Sequence, residues 1–345
     1  MNPAKRKLSA FFLLGSSLLF FAHSGCARRE GVTVVLGAYT TPREAYRKII
    51  PLFQKYWKEK TGETVRFKES YLGSGAQSRA IVGGFEADLA ALSLEADIAR
   101  IEKAGLIRQD WRARPHGGIV SHSLVVLAVR RDNPKNIRDW ADLARLNLSI
   151  LTPNPKASGG AMWNIAAAYG AAKRGRVAGY QAGDEGARRF LRDVMKNVSV
   201  FDKGARESII SFEKGIGDVL ISYENEVLMG RKASGDTYEM KIPASTILIE
   251  NPVAVIDQYA EKHGVKEAAE AFRDFLWTRE AQRVFAEFGF RPVDAELERE
   301  AASKFPPPRD LWTIDYLGGW DRVIREFFGL QGIFTQVMEE VEKGK

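Results

Sequence analysis

The feature that most constrains the fold is the stretch 152–164, in which a strand must stop and a helix must start within a few residues. An apolar run leads into Thr-Pro-Asn-Pro, and prolines end a strand because they lack an amide proton and disfavour helix before themselves. Ser158 then stands where a helix N-cap belongs, and Gly159 and Gly160 leave the first helical amides open. Such amides, at the positive end of a helix dipole, can receive an anion, although an ordinary turn explains one Ser-Gly pair equally well.

Strand and helix alternate along the rest of the chain. Residues 32–36 alternate as a first strand, and Thr41-Pro42-Arg43-Glu44 predicts a capping box with proline at the first helical position. The following helix carries its large apolar residues on one face and leads to a second strand near residue 65. Strand, helix and strand in this order predict a crossover with parallel pairing.

This alternation, without a flexible linker, predicts an α/β fold of two lobes. Each lobe is expected to hold a mixed, mostly parallel sheet flanked by helices, and two hinge strands near residues 118–130 and 240–256 are expected to join them. The predicted boundaries are listed here: a signal peptide at 1–25, a discontinuous first lobe at 31–118 and 250–320, a second lobe at 119–249, and a C-terminal helical segment at 321–345.

The N-terminus has the pattern of an export signal. Three basic residues at positions 5–7 precede the 15-residue apolar stretch 8–22, which is short for a membrane span. Cys26, the only cysteine, follows Ser24-Gly25 as in the lipobox of bacterial lipoproteins, although His23 stands where that pattern usually has leucine. We therefore expect an exported protein, periplasmic or at the cell surface, anchored by a lipid on Cys26. A stray cysteine after an ordinary cleavage site is the alternative.

The charge argues against a nucleic-acid partner. The formal net charge of the whole chain is +7, and removal of residues 1–25 takes away three basic residues and no acidic ones, so that 48 basic minus 44 acidic residues leave +4. These charges are interspersed and form no basic block. We expect contact with a membrane only through the lipid anchor.

Two further loops have the chemistry of the loop at 158–160. Gly73-Ser74-Gly75 and Gly204-Ala205-Arg206 each follow a predicted strand and precede a predicted helix. Open α/β sheets bind their ligands at this edge, where strands end and helices begin. Each loop alone is weak evidence for a site, but three such loops in one chain favour a shared anion site.

With these loops, the sequence resembles the periplasmic sulfate- and thiosulfate-binding proteins that feed ABC importers, from about Val32 to beyond Trp320. The resemblance rests on the following motifs: Tyr71-Leu72-Gly73-Ser74-Gly75, Thr152-Pro153-Asn154-Pro155 through Gly160, Gly204-Ala205-Arg206, Gly215-Ile216-Gly217-Asp218-Val219-Leu220, Tyr223-Glu224-Asn225-Glu226, Phe290-Arg291-Pro292 and Gly318-Gly319-Trp320. It implies the type II periplasmic-binding-protein fold, a monomer that closes over one desolvated oxyanion and delivers it to a membrane permease. No cofactor or metal is implied.

The resemblance also implies a set of hydrogen-bond donors. They are the Ser74 hydroxyl and amide, the Ser158 hydroxyl, and the amides of Gly159, Gly160 and Ala205, with Gly73, Gly75 and Arg206 beside them. The family places an indole N–H where this chain has Tyr223. An indole only donates, whereas a phenol donates and accepts, so Tyr223 leaves the choice among sulfate, thiosulfate and other oxyanions open.

Two alternatives stay open on the sequence alone. The first is a binding protein for a related oxyanion such as phosphate or molybdate. The second is an exported α/β hydrolase or transferase that uses Ser74 or Ser158 as nucleophile, which a base within hydrogen-bond reach of either serine would support. Against an enzyme, the four histidines lack metal-ligand spacing, and the residues around Ser74 do not form a Gly-x-Ser-x-Gly elbow.

Overall fold

The computed structural model of the protein describes residues 31–344. The strands within this range are β1 Val32–Tyr39, β2 Val65–Leu72, β3 Leu89–Ala91, β4 Ile119–Arg130, β5 Ile150–Pro153, β6 Val198–Asp202, β7 Val219–Tyr223, β8 Tyr238–Lys241, β9 Ser245–Val255 and β10 Asp310–Trp312. The predicted signal peptide and Cys26 lie outside the described residues.

Helices follow most of these strands. They are α1 Arg43–Thr61, α2 Ser74–Val82, α3 Glu95–Lys103, α4 Gly159–Lys173, α5 Asp184–Lys196, α6 Ala205–Glu213, α7 Glu224–Ser234, α8 Asp257–Lys262, α9 Lys266–Phe275, α10 Arg279–Glu287, α11 Ala295–Glu300, α12 Gly319–Phe327 and α13 Ile333–Lys343. Within residues 31–344, no helix combines the length and the apolar character needed to cross a membrane.

The strands form one mixed sheet in the order β2-β1-β3-β9-β4-β7-β5-β6, with β8 beside β4 and β10 beside β9. Parallel strands occupy both ends, since β1 pairs with β2 and β3, and β5 pairs with β6 and β7. The long strands β4 and β9 run antiparallel between these ends. The predicted α/β class with a mixed sheet is confirmed.

The two long strands each change partner along their length. Residues 119–124 of β4 pair with β9, and residues 125–129 pair with β7. In the same way, residues 253–255 of β9 pair with β3. These strands therefore pass from one parallel group to the other, at the two places where the sequence predicts hinge strands.

Among residues 31–344, buried apolar side chains form four clusters, which fall into two regions by the parts of the chain that they draw on. One draws on residues 34–120 and 253–290, where α1 and α9 pack on β1, and the other draws on residues 124–249 and 312–341, with Leu94 added. Trp320 packs edge-on against Trp163, with 4.5 Å between the ring centroids, and Trp312 joins the same cluster. The predicted boundary at residue 320 therefore cuts through a segment that packs with the second region.

The start of α1 differs from the prediction. The helix begins at Arg43 after Pro42, and no side chain caps it, so the predicted capping box from Thr41 to Glu44 is wrong. The Glu44 carboxylate instead accepts hydrogen bonds from Arg206, which competes for the oxygens that a capping box would use. Ser158 does occupy the N-cap of α4, but its side chain makes no capping hydrogen bond.

Candidate oxyanion-binding site

Four helices begin shortly after strands end. α2 follows β2, α4 follows the loop after β5, α6 follows β6, and α7 follows β7 without a gap. The first amides of each helix have no acceptor within the helix, and the helix dipole adds positive potential there. Because β5, β6 and β7 are mutually parallel, three of these helix starts lie at one edge of the sheet.

The three predicted loops meet at this edge. A Cβ built on Gly73 would lie 2.6 Å from the carbonyl oxygen of Ala157 and 3.7 Å from that of Lys203. The start of α2 therefore touches the loop before α4 and the loop before α6. Glycine is required at position 73 because a side chain would displace the neighbouring backbone.

Tyr223 lies against the same edge. A Cβ on Gly160 would lie 2.8 Å from the Tyr223 ring and 3.3 Å from the Ser158 Oγ. Ser74, Ser158, Ala205 and Tyr223 are all between 2% and 5% exposed. The structure thus brings the sequence-predicted residues into one buried region, in which desolvated hydrogen bonds are strong.

The Ser74 side chain behaves differently from the prediction. Its hydroxyl donates to Asp97 Oδ2 at 2.6 Å and accepts from the Ser93 amide at 3.0 Å. Since a carboxylate can only accept, the hydroxyl proton is committed to Asp97 and is not available to a ligand in this conformation. The predicted role of the Ser74 hydroxyl as a donor is corrected accordingly, while its amide remains at the start of α2.

Asp97 is compensated by a neighbouring cation. Arg100 Nη1 lies 2.6 Å from Asp97 Oδ1, one turn along α3, and the Asp97 side chain is almost fully buried. Burying an unpaired carboxylate would be costly, so the ion pair with Arg100 makes this position tenable. Asp97 therefore fixes the orientation of the Ser74 side chain beside the region where the loops meet.

Sequence reasoning missed Ser93, which is hydrogen-bonded both to Ser74 and to Tyr223. Its hydroxyl is 2.5 Å from the Tyr223 phenol oxygen, and its carbonyl accepts from Trp163 Nε1 at 3.0 Å. Burial raises the pKa of Tyr223 well above its usual value, so the phenol stays protonated. A signal was present: Ser93 stands between a short apolar strand and the start of a helix, as Ser158 does.

Arg206, which was expected to lie beside the ligand donors, pairs its charge with two carboxylates. Its Nε donates to Glu226 at 2.8 Å, and both terminal nitrogens donate to Glu44 at 3.0 Å. Burial alone would lower the pKa of the Arg206 guanidinium, but the carboxylates of Glu226 and Glu44 raise this pKa above its usual value. Arg206 links α6 to α1 and α7 and brings no uncompensated cation to the site.

The donors at the meeting point are backbone amides and neutral hydroxyls, and two charged groups lie close to them, since a Cβ built on Gly75 would lie 3.3 Å from Arg79 Nη1 and 3.7 Å from Asp97 Oδ1. Among residues 31–344, no group of three or more His, Cys, Asp or Glu side chains is placed to hold a metal ion. Such a set of donors can surround an oxyanion, and it offers few acceptors to a cation.

An α/β fold with helix starts converging on an enclosed set of donors is typical of solute-binding proteins. Residues 34–291 match the family described as bacterial extracellular solute-binding protein, and the chain belongs to this family. The chain is 46% identical to a sulfate-binding protein of Synechococcus elongatus over 90% of its own length and 88% of the relative's length. It is 33% identical to a thiosulfate-binding protein of Pseudomonas aeruginosa, over 96% and 98% of the two lengths.

Solved structures show the same fold. The sulfate-binding protein SubI of Mycobacterium tuberculosis superimposes with a TM-score of 0.78 at 39% identity, covering 86% of this chain and 99% of SubI. The periplasmic binding protein AfuA of Actinobacillus pleuropneumoniae matches with a TM-score of 0.59 at 16% identity, covering 92% and 97% of the two chains, and this likeness concerns the fold alone.

Proposed function

We propose that this protein captures sulfate or thiosulfate outside the cytoplasm and delivers it to the membrane permease of an ABC importer. The convergence of the α2, α4 and α6 starts on one buried region carries the proposal, together with relatives named for binding these two anions. The proposed ligand donors are the amides of Ser74, Gly159, Gly160 and Ala205 and the hydroxyls of Ser158 and Tyr223.

The energetics of such a site are adequate. Sulfate at neutral pH carries two charges and no proton, so donors alone can satisfy it. Six charge-assisted hydrogen bonds would contribute roughly 9–18 kcal/mol in total. This gross gain must exceed the cost of removing water from a dianion, and a net of about −8 kcal/mol corresponds to micromolar affinity.

The proposal includes closure of two lobes about β4 and β9. The first lobe would comprise residues 31–118 and the part of the chain after residue 250 that packs with them, and the second would comprise residues 119–249. Because Trp312 and Trp320 pack with the second region, the segment from residue 312 onward is assigned to the second lobe. The start of α2 already touches the loops before α4 and α6, so opening of the lobes would separate these elements, and closure would shield the anion from water.

Export follows from membership of an extracellular family, and anchoring at Cys26 is part of the proposal. Its support is the Ser-Gly-Cys sequence after the apolar stretch 8–22. Growth with labelled palmitate should label the wild-type protein and not a Cys26→Ser variant. Equal labelling of both proteins would rule out a lipid on this cysteine. The mature protein is expected to elute as a monomer in size-exclusion chromatography.

One observation favours the enzyme alternative, because Asp97 lies within hydrogen-bond reach of Ser74. Against it, the second oxygen of Asp97 is held by Arg100, and the family is one of solute-binding proteins. A fluorophosphonate probe should leave Ser74 unmodified, and covalent labelling of this serine would revive the alternative.

Calorimetric titration tests the ligand directly. We expect sulfate or thiosulfate to bind most tightly, with phosphate and molybdate weaker. A preference for phosphate or molybdate would reassign the ligand within the same site. Absence of heat with all four anions, from protein freed of bound anion by partial unfolding and dialysis, would refute the proposal.

A further inference from the structure

Ser93 and Tyr223 form a buried pair of hydroxyls at the centre of the site. Their oxygens are 2.5 Å apart, although the residues are 130 positions apart in sequence. Both side chains are at most 2% exposed. Ser93 is held in place from behind, since its carbonyl accepts from Trp163 and its amide donates to Ser74.

The pair lies against the first turn of α4. A Cβ on Gly159 would lie 2.7 Å from Ser93 Oγ, and a Cβ on Gly160 would lie 2.8 Å from the Tyr223 ring. The amides of these two glycines are the receptor in the proposed function, on which this inference rests. An anion bound there would therefore meet the hydroxyl pair.

The protons of the pair can be counted. Two neutral hydroxyls carry two protons, and one proton is used in the hydrogen bond between them. One hydroxyl of the pair can therefore donate its proton to a ligand, while the oxygen of the other hydroxyl accepts a proton from the ligand. Every proton is then hydrogen-bonded. Ser74 cannot do this, because Asp97 holds its proton.

We infer that Ser93 and Tyr223 together form a specificity element, which lets the site accept a singly protonated tetrahedral anion besides a fully ionised one. A protonated oxyanion presents one O–H and neighbouring oxygens that accept, which matches the two ends of the pair. A lone indole N–H in place of the pair would face the ligand O–H with another donor and leave a buried proton unpaired.

The test compares sulfate with inorganic phosphate at mildly alkaline pH, where phosphate is chiefly the singly protonated dianion. Calorimetry would give the ratio of the two dissociation constants for the wild type, Tyr223→Trp, Tyr223→Phe and Ser93→Ala. The wild type should bind phosphate within about 100-fold of sulfate. Each variant should weaken phosphate more than sulfate and raise this ratio about 10-fold or more, the effect of one buried unpaired donor.

A double variant and a matched control test whether the two hydroxyls act together. Because either deletion breaks the same pair, the double variant Ser93→Ala/Tyr223→Phe should raise the ratio no further than the larger single effect. Ser222→Ala removes a buried, unpartnered hydroxyl on the same strand as Tyr223 and should leave the ratio unchanged. Thermal stabilisation by sulfate would confirm that each variant is folded.

The outcomes separate the two proposals. A wild type that binds neither sulfate nor thiosulfate would refute the proposed function. A wild type that binds sulfate, with no measurable phosphate binding or with a ratio that stays within about 3-fold in all variants, would refute only the role of the hydroxyl pair.

Discussion

Replacing Arg291 by methionine should destabilise the protein strongly, because this arginine holds a fully buried carboxylate. Its Nε and Nη2 donate to the two oxygens of Glu224 at 2.6 and 2.8 Å, and Nη2 also donates to the carbonyl of Pro306 at 2.8 Å. Glu224 is 0% exposed and opens α7 directly after Tyr223. The ion pair therefore supports the helix start beside the proposed site.

The size of this loss of stability follows from Glu224, which stays buried without its partner. Removing one member of a buried ion pair leaves an uncompensated buried charge and costs about 3–5 kcal/mol. Replacing both residues by apolar ones of similar volume removes that penalty. We expect Arg291→Met to lose about 3–5 kcal/mol of unfolding free energy, and Arg291→Met/Glu224→Met to regain most of that loss.

The loss should depend on pH. Burial raises the pKa of Glu224, and without Arg291 only the charge of Lys304 still opposes this effect. A carboxyl with a folded-state pKa above its unfolded value contributes stability below the unfolded pKa and loses it as pH rises through the folded pKa. The Arg291→Met variant should therefore be closer to the wild type near pH 5 than near pH 8.

Urea unfolding followed by circular dichroism measures these differences at both pH values. The ligand should be absent, because a bound anion would stabilise the native state by mass action. A loss below about 1 kcal/mol in the single variant, or a double variant as unstable as the single one, would refute the reasoning. A deficit that is larger near pH 5 would show that Glu224 is not the group left unpaired.

Three further outcomes follow from the structure. Ser158→Ala should weaken sulfate binding about 10- to 150-fold in calorimetry. The melting temperature should not fall, because this hydroxyl does not cap α4. The control Ser222→Ala should lower neither the affinity for sulfate nor the melting temperature. Gly159→Ala should reduce affinity at least about 10-fold, because its Cβ would lie 2.7 Å from Ser93 Oγ; wild-type affinity would disprove that close approach. Burial raises the pKa of Glu250 to about 7, so Glu250→Gln should gain unfolding free energy over the wild type near pH 8 and not near pH 4, and the opposite trend would contradict this assignment.

Local patterns in the sequence were sufficient to predict the class of fold and the edge of the sheet at which the proposed site lies. Alternation of apolar runs with amphipathic stretches predicts strands followed by helices, and parallel strands place the helix starts at one edge. Ser158 at the N-cap of α4 illustrates this, since a serine before two glycines depends only on neighbours in the chain. The predicted loops at 73–75, 158–160 and 204–206 accordingly meet in the structure.

Only the tertiary structure decided what the individual side chains do. Whether the Ser74 hydroxyl faces a ligand or Asp97 depends on α3, which begins some 20 residues later, and whether Arg206 is free depends on Glu44, 162 positions away. The pairing of Ser93 with Tyr223 likewise joins the ends of two strands that are distant in sequence. Caps and turns are set by adjacent residues, whereas a side-chain hydrogen bond goes to whichever partner the folded chain brings within about 3 Å.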